Sequence, residues 1–83
     1  MNRDEITEIV LSIVKDTLFK LDDVEKITSE TNLIDLGADS LDTFEIVVYI
    51  EKRFYLCISD SDAEQLCRNA TVDKFVDYIV EHL

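Results

Sequence analysis

Apolar residues recur at helical spacing in three separate stretches, and this period limits the fold more than any other feature of the chain. Near the N-terminus Ile6, Ile9, Val10, Ile13 and Val14 fall at i, i+3, i+4, i+7 and i+8, the stripe of a helix with one buried face. The pattern predicts a helix over Arg3–Phe19, opened by Asn2 with Glu5 three residues later, a pair able to cap reciprocally. In the middle, Ile46, Val47, Ile50 and Phe54 mark a second helix over Ser40–Phe54. Asp39 is suited to cap it, with Asp42 at the third position, and both carboxylates favour the positive end of the helix dipole. Toward the C-terminus Val72, Phe75, Val76, Ile79 and Val80 mark a last helix, capped by Thr71 and running through Leu83.

Between the first two helices, Lys20 to Ala38 loses the period. That is long for a structureless connection, so it must be pinned to the bundle, with Val24, Ile27, Leu33 and Leu36 as available anchors. Ser59–Cys67 reads as a short helical turn with "SDSD" supplying cap residues, and only "YLCI" is ambiguous as a strand. The expected architecture is all-α, a small three-to-four helix bundle with a long loop between the first and second helices. At this length, residues 1–83 make a single domain, with apolar residues enough for one compact core.

With 19 acidic against 8 basic side chains, the net charge is −11. Such a surface repels nucleic acid and anionic membranes and attracts proteins with a basic face. No run approaches the roughly 20 apolar residues that span a bilayer. "MNRDEITEIV" carries acids where a secretory signal needs bases and an apolar run. These features suggest a cytoplasmic protein, or the mature form of an organellar one. Cys57 and Cys67 show neither CxxC spacing nor a nearby histidine and are expected to be small buried hydrophobes.

Candidate chemistry concentrates in "DLGADSLDTFEI", which holds the one glycine, Gly37, and then Ser40 between two aspartates. A nucleophilic serine needs a base and an oxyanion site. The one histidine, His82, sits beside the C-terminus, so catalysis by this chain is not expected. Asp60, Asp62 and Glu64 alternate like the start of a calcium loop, but Cys67 and Arg68 stand where a glycine-driven turn should lie, so no metal site is expected. Between Lys26 and Lys52 there is no basic residue, while Leu41, Phe44 and Val48 form a second apolar stripe among Asp39, Asp42, Glu45 and Glu51. An apolar ridge bordered by carboxylates is the make-up of a docking helix: the acids steer a basic partner and the apolar residues supply buried contact.

"LGADSLDT" at the start of the central helix resembles the modification site of acyl carrier proteins. The first-helix stripe, the loop leading to Leu33, "IEKRF", "ISDSDAEQL" and "TVDKFVDYI" follow in that family's order and spacing, so the resemblance covers essentially the whole chain. It implies that Ser40 bears a 4′-phosphopantetheine group, joined as a phosphodiester by a separate phosphopantetheinyl transferase (a holo-acyl-carrier-protein synthase) using coenzyme A and magnesium. The thiol of that arm, and neither cysteine of the chain, would hold acyl groups as thioesters, with the apolar interior between the helices sheltering the acyl chain. Asp39, Leu41, Asp42, Phe44, Glu45, Val48 and Glu51 would form the surface recognised by acyl-transferring, condensing and modifying enzymes with basic docking patches, in fatty-acid, polyketide or related biosynthesis. The carrier itself would be a monomer, catalytically inert alone.

If Asp39 is the cap, the Ser40 hydroxyl is left free, and a phosphodiester there meets the positive helix end, opposed by the neighbouring aspartates. Several positions depart from the family pattern. Lys52 and Arg53 stand where many relatives continue the acidic run, Ser59 where a proline is common, and Phe44 and Tyr49 are bulkier than usual. The loop before Asp35 is one residue short. These departures leave the modification site untouched, alter the partner-facing surface, and leave open whether the carrier serves general fatty-acid synthesis or a dedicated pathway. The rival reading is an unmodified acidic helical adaptor that only docks on partners and has no need of the serine.

Overall fold

A computed structural model describes residues 1–83. The three periodic stretches are helices: α1 is Arg3–Thr17, α3 is Ser40–Phe54 and α5 is Val72–His82, with two shorter helices between them, α2 at Leu33–Leu36 and α4 at Asp60–Cys67. No strand forms, and "YLCI" is an irregular connection. The fold is therefore an all-α bundle with a long loop between α1 and α2, as the period predicts. That loop contains a single 3₁₀ turn at Val24–Lys26.

The helices begin where the caps predict. Asn2 Oδ1 accepts from the Glu5 N–H at 2.9 Å and Glu5 Oε1 accepts from the Asn2 N–H at 3.3 Å, closing a capping box on α1. Ser59 caps α4 and Thr71 caps α5 through their hydroxyls. Helix α1 ends two residues before the expected Phe19, because Leu18 leaves helical geometry while remaining fully buried. Phe19, off the apolar stripe, is then turned out to 76% exposure.

Helix α1 packs against both α5 and α3, and α3 packs against α4. Ile6, Val10 and Val14 of α1 meet Ile46, Val47 and Ile50 of α3 and Val72, Phe75, Val76 and Ile79 of α5 in one apolar core. Two sequence expectations fail at its edge. Val80 was placed on the α5 stripe but is exposed, because Ile79 takes the inward position and the next residue lies about 100° further round the helix. Cys57 is exposed and Cys67 half-buried, whereas both were expected inside. In the irregular connection after α3 it is Ile58, the neighbour of Cys57, that turns inward.

The long loop is pinned at several points. Ile27 and Leu33 are buried, and Val24 and Leu36 pack against the core from its edge. The Leu33 N–H donates to the Ala70 carbonyl at 2.8 Å and the Asp73 N–H to the Ser29 carbonyl at 3.0 Å, so the loop is bonded to the segment that opens α5. Asn32 caps α2, its Oδ1 accepting from Ile34 and Asp35.

Side-chain bonds join α5 to α4: the Lys74 ammonium donates to the Gln65 carbonyl at 3.0 Å, and the Tyr78 hydroxyl donates to Asp62 Oδ2 at 2.8 Å. Burial, reinforced by that bond and by the charge of Asp62, raises the Tyr78 pKa above its ordinary 10.0. A folded-state pKa raised above the unfolded value contributes stability that is fully present below the unfolded pKa and is lost as pH rises through the folded one. Wild type should therefore lose stability from about pH 10 upward, and Tyr78→Phe should remove this part of the loss. Urea midpoints measured from pH 8 to 11 check it: parallel profiles for the two proteins would contradict the assignment.

Candidate functional site

The site is built by the turn that links α2 to α3. Gly37 closes α2 with φ 123° and ψ 3°, its N–H donating to the Ile34 carbonyl at 3.1 Å, and the Ala38 N–H then donates to the Leu33 carbonyl at 3.0 Å. A Cβ at Gly37 would lie 3.6 Å from Leu21 Cδ2, an ordinary contact, so the backbone rather than the space demands glycine. Gly37→Ala should cost roughly 1–3 kcal/mol through this strain. A denaturation midpoint equal to wild type would show that the turn relaxes freely.

Ala38 anchors the turn in the core, Asp39 is extended, and Ser40 follows as the exposed first residue of α3. Asp39 Oδ1 accepts from the Asp42 N–H at 2.9 Å, and Asp42 Oδ2 accepts from the Asp39 N–H at 3.2 Å. Thr43, fully buried, donates its hydroxyl to the Ser40 carbonyl at 3.0 Å. The backbone around Ser40 is thus held by bonds that do not use the Ser40 hydroxyl, which stands beside the N–H groups of a helix start.

The residues expected to form a recognition surface divide into two sets. Leu41, Phe44 and Glu45 are exposed and Val48 is half-buried along the outer face of α3, with Asp39 exposed at its tip. Asp42 is only 7% exposed and meets Lys20 Nζ at 3.5 Å in addition to its capping role. Glu51 is half-buried, and its Oε2 accepts from the Ile58 N–H at 3.0 Å, bracing the connection from α3 to α4. Both carboxylates thus hold the structure, Asp42 from a buried position and Glu51 from a half-buried one.

Sequence reasoning missed the other wall of the site. Ser40 and Phe44 share an open cleft of about 440 Å³ with Asp60, Ala63, Glu64, Cys67 and Arg68 of α4 and its end. Ala63 and Cys67 are four residues apart, so their common helical face was a usable signal. Arg68 is held beside the cleft by Glu64 at 3.0 Å. The alternating acids of α4 point in different directions: Asp60 lines this cleft while Asp62 takes the Tyr78 hydroxyl. No three carboxylate, imidazole or thiol groups gather as a metal site. His82 is exposed at the end of α5, its ring stacked on Tyr78 at 3.9 Å between centroids.

A family model of the phosphopantetheine attachment site matches residues 5–79. The chain belongs to the acyl-carrier-protein family. This acyl-carrier-protein family member is 37% identical over 83 residues to "Acyl carrier protein 2, mitochondrial" of Arabidopsis thaliana, a match covering 99% of this chain and 62% of that protein. It is 39% identical over 79 residues to "Acyl carrier protein, chloroplastic" of Brassica napus, covering 95% of this chain and 56% of that protein. The chain thus spans less than two thirds of the length of these relatives. Their mitochondrial and chloroplastic names overturn the expectation of a cytoplasmic protein. The expectation failed because acidic charge and the lack of a bilayer-spanning run do not distinguish one compartment from another. Proteins of the acyl-carrier family are non-catalytic carriers bearing a phosphopantetheine attachment site.

Proposed function

We propose that residues 1–83 act as one carrier domain whose Ser40 bears 4′-phosphopantetheine, and that it delivers acyl groups to enzymes of fatty-acid, polyketide or related biosynthesis. The observation that carries this reading is the exposed Ser40 at the first position of α3, with its cap supplied by Asp39. In the attachment step the Ser40 hydroxyl oxygen forms the new bond to phosphorus and gives up its proton, and the nucleotide half of coenzyme A departs. The arm supplies a terminal thiol for thioesters; neither Cys57 nor Cys67 has that task. Leu41, Phe44 and Val48 bury against partner enzymes, while Asp39 and Glu45 steer their basic patches toward Ser40. Asp42 and Glu51 add negative potential from beneath while bracing the helix.

The domain works as a monomer whose cleft beside Ser40 gives the arm a wall to lie against. Incubation with coenzyme A, magnesium and a broad-specificity phosphopantetheinyl transferase should raise the protein mass by one phosphopantetheine group. An unchanged mass under conditions that load a control carrier would contradict the proposal.

A further inference from the structure

Helices α1 and α3 leave a second groove, of about 790 Å³, on the opposite flank of the exposed α3 face from Ser40 and Phe44. Its apolar lining is Ile9, Ile13, Phe19 and Tyr49. Phe19 is 76% and Tyr49 48% exposed, a large outlay of aromatic surface for so small a chain. The Lys20–Asp42 pair ties the end of α1 to the start of α3, so the two helices run antiparallel. Asp16 and Glu45 therefore lie at one end of the groove, and Lys52 and Arg53 at the other.

The basic end is unusual for this molecule. Arg3, Lys20, Lys26 and Arg68 all sit in ion pairs, Lys74 donates to the carbonyls of Gln65 and Arg68, and Lys15, also without an ion pair, is half-buried on α1. Lys52 and Arg53 are exposed and make no ion pair, in a chain of net charge −11. Arg53 lies over the neighbouring Phe54 ring at 5.7 Å, which holds the guanidinium in place without satisfying its donors. A partner that is basic throughout is attracted at long range but sets like charge on Lys52 and Arg53 at contact.

We propose that this groove is a second docking site, for an amphipathic helix of a partner protein with carboxylates at one end and bases at the other. Its apolar side chains would seat on Phe19 and Tyr49, its carboxylates on Lys52 and Arg53, and its bases on Asp16 and Glu45. A second copy of this chain also carries both signs, but two bodies of charge −11 repel. The proposal is independent of any modification at Ser40, so its test uses the Ser40→Ala protein and can fail without touching the carrier reading.

Two synthetic amphipathic helical peptides of equal length and equal leucine content are titrated into ¹⁵N-labelled protein at physiological salt. One is bipolar, with lysines in one half and glutamates in the other; the other has lysine at every polar position. The bipolar peptide should bind about tenfold more tightly, the scale that two or three exposed charge pairs supply, and should shift the amides of Ile13, Phe19 and Tyr49. The Lys52→Glu, Arg53→Glu double variant should reverse the ranking, and Phe19→Ala should weaken the bipolar peptide while the protein keeps its circular dichroism. Equal or tighter binding of the all-lysine peptide overturns the proposal, as does failure of the bipolar peptide to bind at millimolar concentration. Shifts confined to Leu41 and Val48 overturn it too, and groove shifts that grow with protein concentration alone would assign the groove to a second copy.

Discussion

Ser40→Ala is expected to fold like wild type and to take up no phosphopantetheine at all. Position 40 is exposed, and the bonds that organise the start of α3 run between Asp39, Asp42 and backbone groups that alanine keeps. Alanine is also the best helix former, so the stability change should stay within about 0.5 kcal/mol. The chemical effect is all-or-none, because the oxygen that must join phosphorus is gone. Serines elsewhere do not substitute; Ser59, for instance, spends its hydroxyl on the Asp62 N–H at 3.1 Å. Thermal melts and intact masses after the transferase reaction check both halves. A melting shift of several degrees would show that Ser40 is structural, and a mass gain would move the attachment elsewhere.

Phe75→Ala should produce the largest loss of stability among single truncations of the core. Phe75 is 1% exposed and is the bulkiest of the fully buried side chains, on the α5 face that packs against α1. Truncating a buried phenylalanine costs about 3–5 kcal/mol, from lost transfer energy and the cavity left behind. Small domains hold only about 5–15 kcal/mol in total, so this variant should be partly unfolded at 37 °C. Val80→Ala, on the same helix but exposed, should cost less than about 1 kcal/mol. Denaturant titrations of the pair separate the two faces of α5. A Phe75→Ala loss below about 1 kcal/mol would mean that the core is not packed as described.

These effects differ in how far they could be read from sequence. Both capping boxes, Asn2 with Glu5 and Asp39 with Asp42, are local, and so are the stripes behind them. That is why α3 starts and ends at the residues the pattern names. Helix α2 is a single turn, too short to display a period, and only its cap Asn32 and terminator Gly37 mark it. The inward position of Asp42 depends on Lys20, which reaches it from the end of α1, and the tether of Glu51 depends on the chain returning at Ile58. No spacing rule contains such contacts, so the bracing role of these two carboxylates could not be read from the sequence. Exposure of Cys57 follows from which neighbour the irregular connection turns inward, a choice made by packing rather than by hydropathy. Compartment was beyond reach for a different reason, since charge and composition answer to solubility and not to address.

The most direct test of the central claim is peptide mapping of the protein purified from its own host. Trypsin has no cleavage site between Lys26 and Lys52, so one fragment, residues 27–52, holds Ser40 together with Thr28, Ser29, Thr31 and Thr43. Fragmentation should place a single phosphopantetheine, free or acylated, on Ser40. A fragment that is unmodified throughout the native population would contradict the carrier and leave the acidic adaptor in its place.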